Sequence, residues 1–445
     1  MSVAETTPAA GTSRSAFHTT DRPRWEDYSR CIHCGLCLEA CPTFRLLGEE
    51  MDSPRGRIYQ IAQADAGRLP LAGAFETHIG RCLDCRACQT ACPSGVEYGK
   101  ILERARAELA AQREVRGPKA WLANYVFRRL LPDPRAMARQ ARLLRWYQRG
   151  GPRAVARATG VLRLLGLAQA ESLAPEVEGE FFRAEMGRTF PALGPRRARV
   201  AFLAGCVQRV AFAGMNRATL RVLQAAGCEV VIPAAQTCCG ALHVHAGRRE
   251  EARELARSNI QAFAGFDAVV TNSAGCGSAL KEYGDLLEGD AAAEEFAGRV
   301  RDATELLAAL GLPAGTLRPL PWKVTYQDPC HLAHGQRIRS APRQLLAAVP
   351  GLELVEMERA DSCCGSAGIY NVVQPKIAGR LLDEKMATVR ATRAATIVTA
   401  NPGCMLQLQA GIRRSGAADR VMHVMELLDA ALAPGAVENP TAKPE

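Results

Sequence analysis

The chain has 445 residues, 48% of them apolar and 23% charged, with a net charge of +10 and 17 cysteines. That length has room for several domains with cores of their own, and an odd, dense cysteine set in so long a chain excludes a small secreted disulfide scaffold and points to metal in a reducing cytoplasm. The absence of any uninterrupted apolar run of about eighteen residues excludes a membrane-crossing helix.

Residues 1–22 lack an apolar signal core and are expected to form a flexible tail. A ferredoxin-type domain is predicted over residues 23–105. It opens with "CIHCGLCLEACP", in which Cys31, Cys34, Cys37 and Cys41 precede a proline, and returns with "CLDCRACQTACP", in which Cys82, Cys85, Cys88 and Cys92 do the same. Both runs read C-x2-C-x2-C-x3-C-P. Two intervening residues make a tight turn that aims successive thiolates at one soft iron–sulfur core, and the fourth cysteine of such a run serves the other cluster when two are present. Cys31, Cys34, Cys37 and Cys92 are therefore assigned to one [4Fe–4S] cluster, and Cys82, Cys85, Cys88 and Cys41 to a second. Structural zinc, the other reading, needs only paired C-x2-C knuckles and leaves the matched four-cysteine runs and their prolines unexplained. Between the runs, Ser53-Pro54 fits a helix start, with Ile58, Ile61 and Ala62 at helical spacing. This insert predicts a helical ferredoxin domain. Arg55 and Arg57 stand where they can offset cluster charge or serve only as solvated helix-start residues.

A basic helical connector is predicted over residues 106–195. From Arg113 to Arg163 it holds thirteen Arg or Lys against two acids, so this stretch alone carries +11 and the rest of the chain is near neutral. Pro132, Pro134 and the Gly150-Gly151-Pro152 break divide it into about three helices. Trp121, Leu122, Tyr125 and Val126 share a helical face, as do Leu143, Leu144 and Tyr147. Three roles fit: residues 113–165 on an anionic membrane surface, docking to an acidic partner subunit, or aromatic packing into a domain interface. No recognition motif accompanies the charge, so nucleic acid is not expected as a partner.

The remainder contains a duplication. In residues 196–285 a β-branched run leads to Cys206, a second to the adjacent Cys238 and Cys239, and a third to Cys276. After a linker at 286–320, residues 321–434 repeat the plan with Cys330, the pair Cys363 and Cys364, and Cys404; residues 435–445 read as a tail. The first cysteine and the pair are separated by 31 and 32 residues in the two copies, and the pair and the last cysteine by 36 and 39. Each cysteine site follows a strand-like run and precedes a helix-like one, the alternation of a parallel α/β sheet, whose sites form outside the carboxyl ends of the strands. Each repeat thus gathers four thiols, which suit a further iron–sulfur cluster or zinc. A vicinal disulfide would leave the outer cysteines without a role. Cys228 lies outside the pattern as a core cysteine. His243, His245, His331 and His334 lie beside ligand cysteines and are read as ordinary hydrogen-bonded histidines, with proton transfer as the alternative.

With these features in place, the chain resembles the glycolate oxidase iron–sulfur subunit family. The wider Cys-Cys-Gly domain family also includes the subunit of heterodisulfide reductase that carries this domain and the anaerobic glycerol-3-phosphate dehydrogenase iron–sulfur subunit. The likeness runs from Trp25 to Leu432 and is carried by "SPRGRI" at Ser53, "AGCVQ" at Ala204, "CCGALHVHAG" at Cys238, "QDPCHLAHGQ" at Gln327, "CCGSAGIYN" at Cys363 and "NPGCMLQ" at Asn401. The resemblance implies an electron-transfer subunit without catalysis of its own. Its FAD-binding partner subunits would oxidise glycolate to glyoxylate, and electrons would pass on toward membrane quinone. The lack of a signal core and of a membrane-crossing run leads to the expectation of a cytoplasmic protein, with peripheral docking on the inner face of the membrane as an option. Equivalent subunits for lactate or glycerol 3-phosphate, or a zinc-stabilised scaffold that recruits the flavoprotein, are the alternatives. The sequence departs from the heterodisulfide reductase pattern in one respect: Ser273 and Asn401 occupy the position where that family has an additional cysteine, leaving four thiolates per repeat and favouring simple electron transfer.

Overall fold

A computed structural model describes residues 15–112, 117–166, 168–177, 179–415 and 420–434. The chain divides into two compact units, Met1–Val115 with Leu242–Arg249, and Arg116–Ala241 with Glu250–Glu445.

The first unit is helical among its described residues. Ser53 caps the helix Pro54–Asp65 by accepting from the Gly56 N–H, with proline in the first turn. Ile58 and Ile61 of this helix join Phe75, Ile79, Ile101 and Leu102 in one core. The helix Tyr98–Gln112 closes the unit. Its Glu108 is fully buried and accepts the backbone N–H groups of His18 and Thr19, while Phe17 sits in the core. Residues 15–22 are therefore packed, not a free tail, because buried Glu108 takes its backbone donors from them. Residues 1–14, expected in the same tail, and the expected tail at 435–445 lie outside the described residues. The expected boundary at residue 105 also moves, since it falls inside a continuous helix.

The second unit holds two sheets. The first contains β1 (Thr189–Phe190), β2 (Ala198–Leu203), β3 (Cys228–Val231), β4 (Val269–Thr271) and β5 (Val300–Asp302), in the order β1-β3-β2-β4-β5. The second contains β6 (Lys323–Tyr326), β7 (Glu353–Leu354), β8 (Thr396–Thr399) and β9 (Arg420–His423), in the order β7-β6-β8-β9. Without β1 the two orders coincide, so the repeat seen in the cysteines is a repeat of topology. All neighbours are parallel except β1, which pairs antiparallel with β3. The parallel sheets expected from the sequence are thus present, and β1 adds an antiparallel edge strand that takes the end of the predicted connector into the first sheet. The predicted linker at 286–320 is corrected: it contributes β5 and the helix Ala303–Leu310 to the first repeat. Its strand is three residues long, too short to show a pattern, but Val300 is fully buried beside β4. Successive residues of the central strands β2, β4, β6 and β8 are buried, so both faces are covered and the strands read as continuous apolar runs. Phe202 and Val270 share one core with Val324, Tyr326 and Val398, so the two repeats pack as one body.

Candidate metal centres

All seventeen cysteines are free thiols, so neither adjacent pair is a disulfide. In the first unit, Cys41, Cys82, Cys85 and Cys88 line one hollow of about 300 Å³, its mouth included, together with Arg57, Arg86 and Tyr98. The fourth cysteine of the first run thus stands with the first three of the second. Reciprocally, burial and then the nearby Cys92 and Cys34 push the Cys31 thiol up, so the fourth cysteine of the second run stands by the first run. Burial, and then Cys85, Cys41 and Cys82, push the Cys88 thiol well above its ordinary range. Burial also pushes Cys37 up to about 11 against two backbone donors. Four buried thiols around one hollow are a donor set that a soft iron–sulfur core fits, because metal coordination keeps thiolates deprotonated.

The segment "SPRGRI" serves both sets. Arg55 donates to Glu50 and to the His33 carbonyl at 3.2 Å, and its charge faces Cys37 and Cys31. Arg57 is fully buried, donates to His78 O at 2.7 Å, Thr43 Oγ1 at 3.1 Å and Asp52 Oδ1 at 3.2 Å, and lines the other hollow. Burial opposes its charge, but Cys82, Tyr98, Cys41 and Asp52 outweigh that and raise its pKa. Gly56 between them is obligatory for packing, since a Cβ there would lie 2.0 Å from Glu50 O.

In the second unit each quartet sits at the carboxyl ends of three strands. Cys206 follows β2, the Cys238–Cys239 pair follows β3 and Cys276 follows β4. Their side chains form a continuous series of contacts, Cys206 to Cys238, Cys238 to Cys239 and Cys239 to Cys276. The second repeat does the same through Cys330, Cys363, Cys364 and Cys404, after β6, β7 and β8. Both last cysteines are the third residue of a helix, in Ala274–Lys281 and Pro402–Ser415, where the helix dipole favours a thiolate. Gln236 ties the pair loop to β2 by accepting from Ala204 N and donating to Phe202 O. Asn259 donates to Cys238 O at 2.9 Å and Tyr283 to Cys239 O at 3.0 Å.

Each quartet also has a buried cation that the sequence reading missed. Arg209 donates to Gln236 O and lines a hollow of about 280 Å³ with Cys206 and Cys238, its wall completed by Leu131, Pro132, Pro134 and Met137 of the connector. Lys385 donates to Arg359 O at 2.6 Å and is surrounded by Cys364, Cys363, Asp361 and Asp328. Burial lowers the pKa of both cations, against the thiols beside them. Lys385 carried a legible signal: it falls on the apolar stripe Ile377, Leu381, Leu382, Met386 and Val389 of the helix Pro375–Thr392. Cys228 is a core residue of β3, with its thiol raised to about 11 by burial.

The histidines divide. His245 pairs with Asp84 at 2.9 Å, and His334 lies between Asp361 O and the Arg339 guanidinium. His331 Nδ1 instead lies 3.6 Å from Cys330 Sγ, against a thiol of the second quartet. In the connector, Ala136 and Ala141 of the helix Pro134–Arg149 are buried, while Trp121 and Trp146 remain 68% and 63% exposed. Aromatic packing into an interface is thereby excluded for those two rings within this unit. No described helix is long and apolar enough to cross a membrane.

Family models match in the same order as these elements: a 4Fe-4S dicluster domain at residues 27–96, the linker region of the glycolate oxidase iron–sulfur subunit at 118–174, and a cysteine-rich domain at 200–281 and 324–409. A probable glycolate oxidase iron–sulfur subunit of Bacillus subtilis is 42% identical, covering 89% of this chain and 92% of its own. The glycolate oxidase iron–sulfur subunit of Escherichia coli is 34% identical, over 90% and 93%. Lactate utilization protein A of Geobacillus kaustophilus is 34% identical, over 52% of this chain and 99% of its own. Two ferredoxin thiol sets followed by duplicated cysteine-rich sheets define a carrier of several iron–sulfur clusters, an electron-transfer subunit of an oxidoreductase. Within that class, the chain belongs to the glycolate oxidase iron–sulfur subunit family.

Proposed function

We propose that this chain receives electrons from an FAD-binding partner subunit that oxidises glycolate to glyoxylate, and passes them toward membrane quinone. Cys31, Cys34, Cys37 and Cys92 hold one [4Fe–4S] cluster, and Cys82, Cys85, Cys88 and Cys41 the other. Cys206, Cys238, Cys239 and Cys276 hold a further metal centre, and Cys330, Cys363, Cys364 and Cys404 another. The clusters supply one-electron storage. The chain's own residues bury the sulfurs, offset charge through Arg55, Arg57, Arg209 and Lys385, and fix the ligand loops.

The observation that carries the glycolate reading is the linker match at 118–174, because the lactate relative covers only 52% of this chain. Contact with the membrane is supported by exposed Trp121, Leu122, Leu143 and Trp146 within the arginine-rich stretch. The test is anaerobic co-purification with the products of neighbouring genes, followed by addition of glycolate. Bleaching of the iron–sulfur absorbance by glycolate is expected. Bleaching by lactate and not by glycolate would replace the substrate. Metal analysis should give roughly twelve to sixteen irons per chain, whereas about eight irons with two zincs would make the duplicated sheets a scaffold.

A further inference from the structure

Ser273 and Asn401, each three residues before the last cysteine of its quartet, are not inert. Ser273 immediately precedes the helix Ala274–Lys281 and is 5% exposed, yet its side chain makes no capping bond to that helix. The cap comes instead from the other repeat: Ala274 N donates to Ala400 O and Gly275 N to Asn401 Oδ1, each at 3.3 Å. The freed Ser273 hydroxyl donates to the same Asn401 Oδ1 at 3.3 Å, and it is also within hydrogen-bonding reach of the Cys276 thiol. On its other side, Asn401 Nδ2 donates to Cys404 Sγ at 3.4 Å. A continuous path therefore runs Cys276, Ser273, Asn401, Cys404, from the last ligand of one quartet to the last ligand of the other.

We propose that Ser273 and Asn401 form a hydrogen-bonded bridge that joins the two quartets and makes the reduction potential of each depend on the other. This rests on the reading of both quartets as cluster ligands. Donors to a ligand sulfur stabilise the more negative, reduced state and so raise the potential. Ser273 has one hydroxyl proton and two acceptors. When electron density on Cys276 draws that proton to sulfur, Asn401 Oδ1 loses a donor, and its amide becomes a weaker donor to Cys404. Reduction of the first centre thereby disfavours reduction of the second. Both are positioning residues; neither is a ligand.

The test is an anaerobic redox titration of the full-length, cluster-loaded chain, followed by electron paramagnetic resonance of each centre. Ser273→Ala should lower the first-repeat potential, cutting the reduced-to-oxidised ratio at fixed potential about tenfold (about 59 mV for one electron), and should lower the second by less. Ser273→Thr, which keeps the hydroxyl, should restore both. Asn401→Leu should lower the second-repeat potential and raise the first, because the Ser273 proton then has only Cys276 to serve. In the double variant that rise should vanish. Potentials that move only in the substituted repeat, with additive shifts in the double variant, would overturn the bridge. A first-repeat signal that survives Cys276→Ser would instead overturn the ligand set beneath it.

Discussion

Gly240 and Gly365 end the two Cys-Cys-Gly turns with φ of +81° and +88°, a region where a side chain costs about 1–2 kcal/mol. Their surroundings differ. A Cβ at Gly365 would lie 2.7 Å from Ala378 O, a backbone atom that cannot yield without moving its helix, whereas at Gly240 the nearest atom is Ala252 Cβ at 3.4 Å. Gly365→Ala should therefore destabilise the chain by at least about 1 kcal/mol more than Gly240→Ala in denaturant unfolding, and it should lose more of its metal. Glycines beside the ligands are visible in sequence, but their reasons are not. Gly205, Gly240 and Gly365 take positive φ, while Gly275 and Gly403 sit in the first turns of helices without it. Arg209 escaped notice for a related reason: its charge makes sense only once the thiols beside it have been brought together by the sheets, whereas Lys385 stood legible on an apolar helix stripe.

The last strand of each repeat ends in an equivalent cap, Asp302 closing β5 and His423 closing β9, both in capping boxes with a glutamate three residues on. Their titrations oppose one another. Burial, against donors from Thr304, raises the Asp302 pKa from 3.8 to about 6, with Oδ2 unpartnered among the described residues. The folded state then holds a proton the unfolded chain releases, so this group's contribution falls as pH rises from 3.8 to 6. Burial lowers His423 from 6.5 to about 4. Here the unfolded chain holds the extra proton, so stability rises with pH from 4 to 6.5. Each effect is about 3 kcal/mol and they nearly cancel. Asp302→Asn should therefore leave melting temperature rising steeply between pH 4 and 6.5, and His423→Asn should leave it falling across the same window. The β6 and β8 runs could be read in sequence because they are β-branched and four residues long; "VRD" of β5 could not, because its two polar residues mask a fully buried Val300.

The duplication was legible for the whole molecule because cysteine spacing records topology: cysteines at three strand ends must recur at the spacing of the strand–helix units between them. The crossed arrangement of the ferredoxin runs has a direct test. Cys92→Ser should remove the paramagnetic signal of the Cys31, Cys34 and Cys37 centre and leave that of the Cys82 run; loss of the latter instead would reverse the assignment. What spacing could not reveal is that "HVHAGR", read as the tail of the first Cys-Cys-Gly motif, belongs to the ferredoxin unit. There His245 meets Asp84 at 2.9 Å, Arg249 meets Asp21 at 3.1 Å and lies 3.6 Å from Glu103, and a Cβ on Gly247 would strike Arg106 O. The consequence concerns the order of synthesis. Translation at ~5–20 residues per second delivers those partners several seconds or more after Gln112 has been made. During that interval Asp84 is without His245, and the ferredoxin thiols belong to an unfinished fold. The ferredoxin unit is thus begun first but completed only when the chain has passed Arg249.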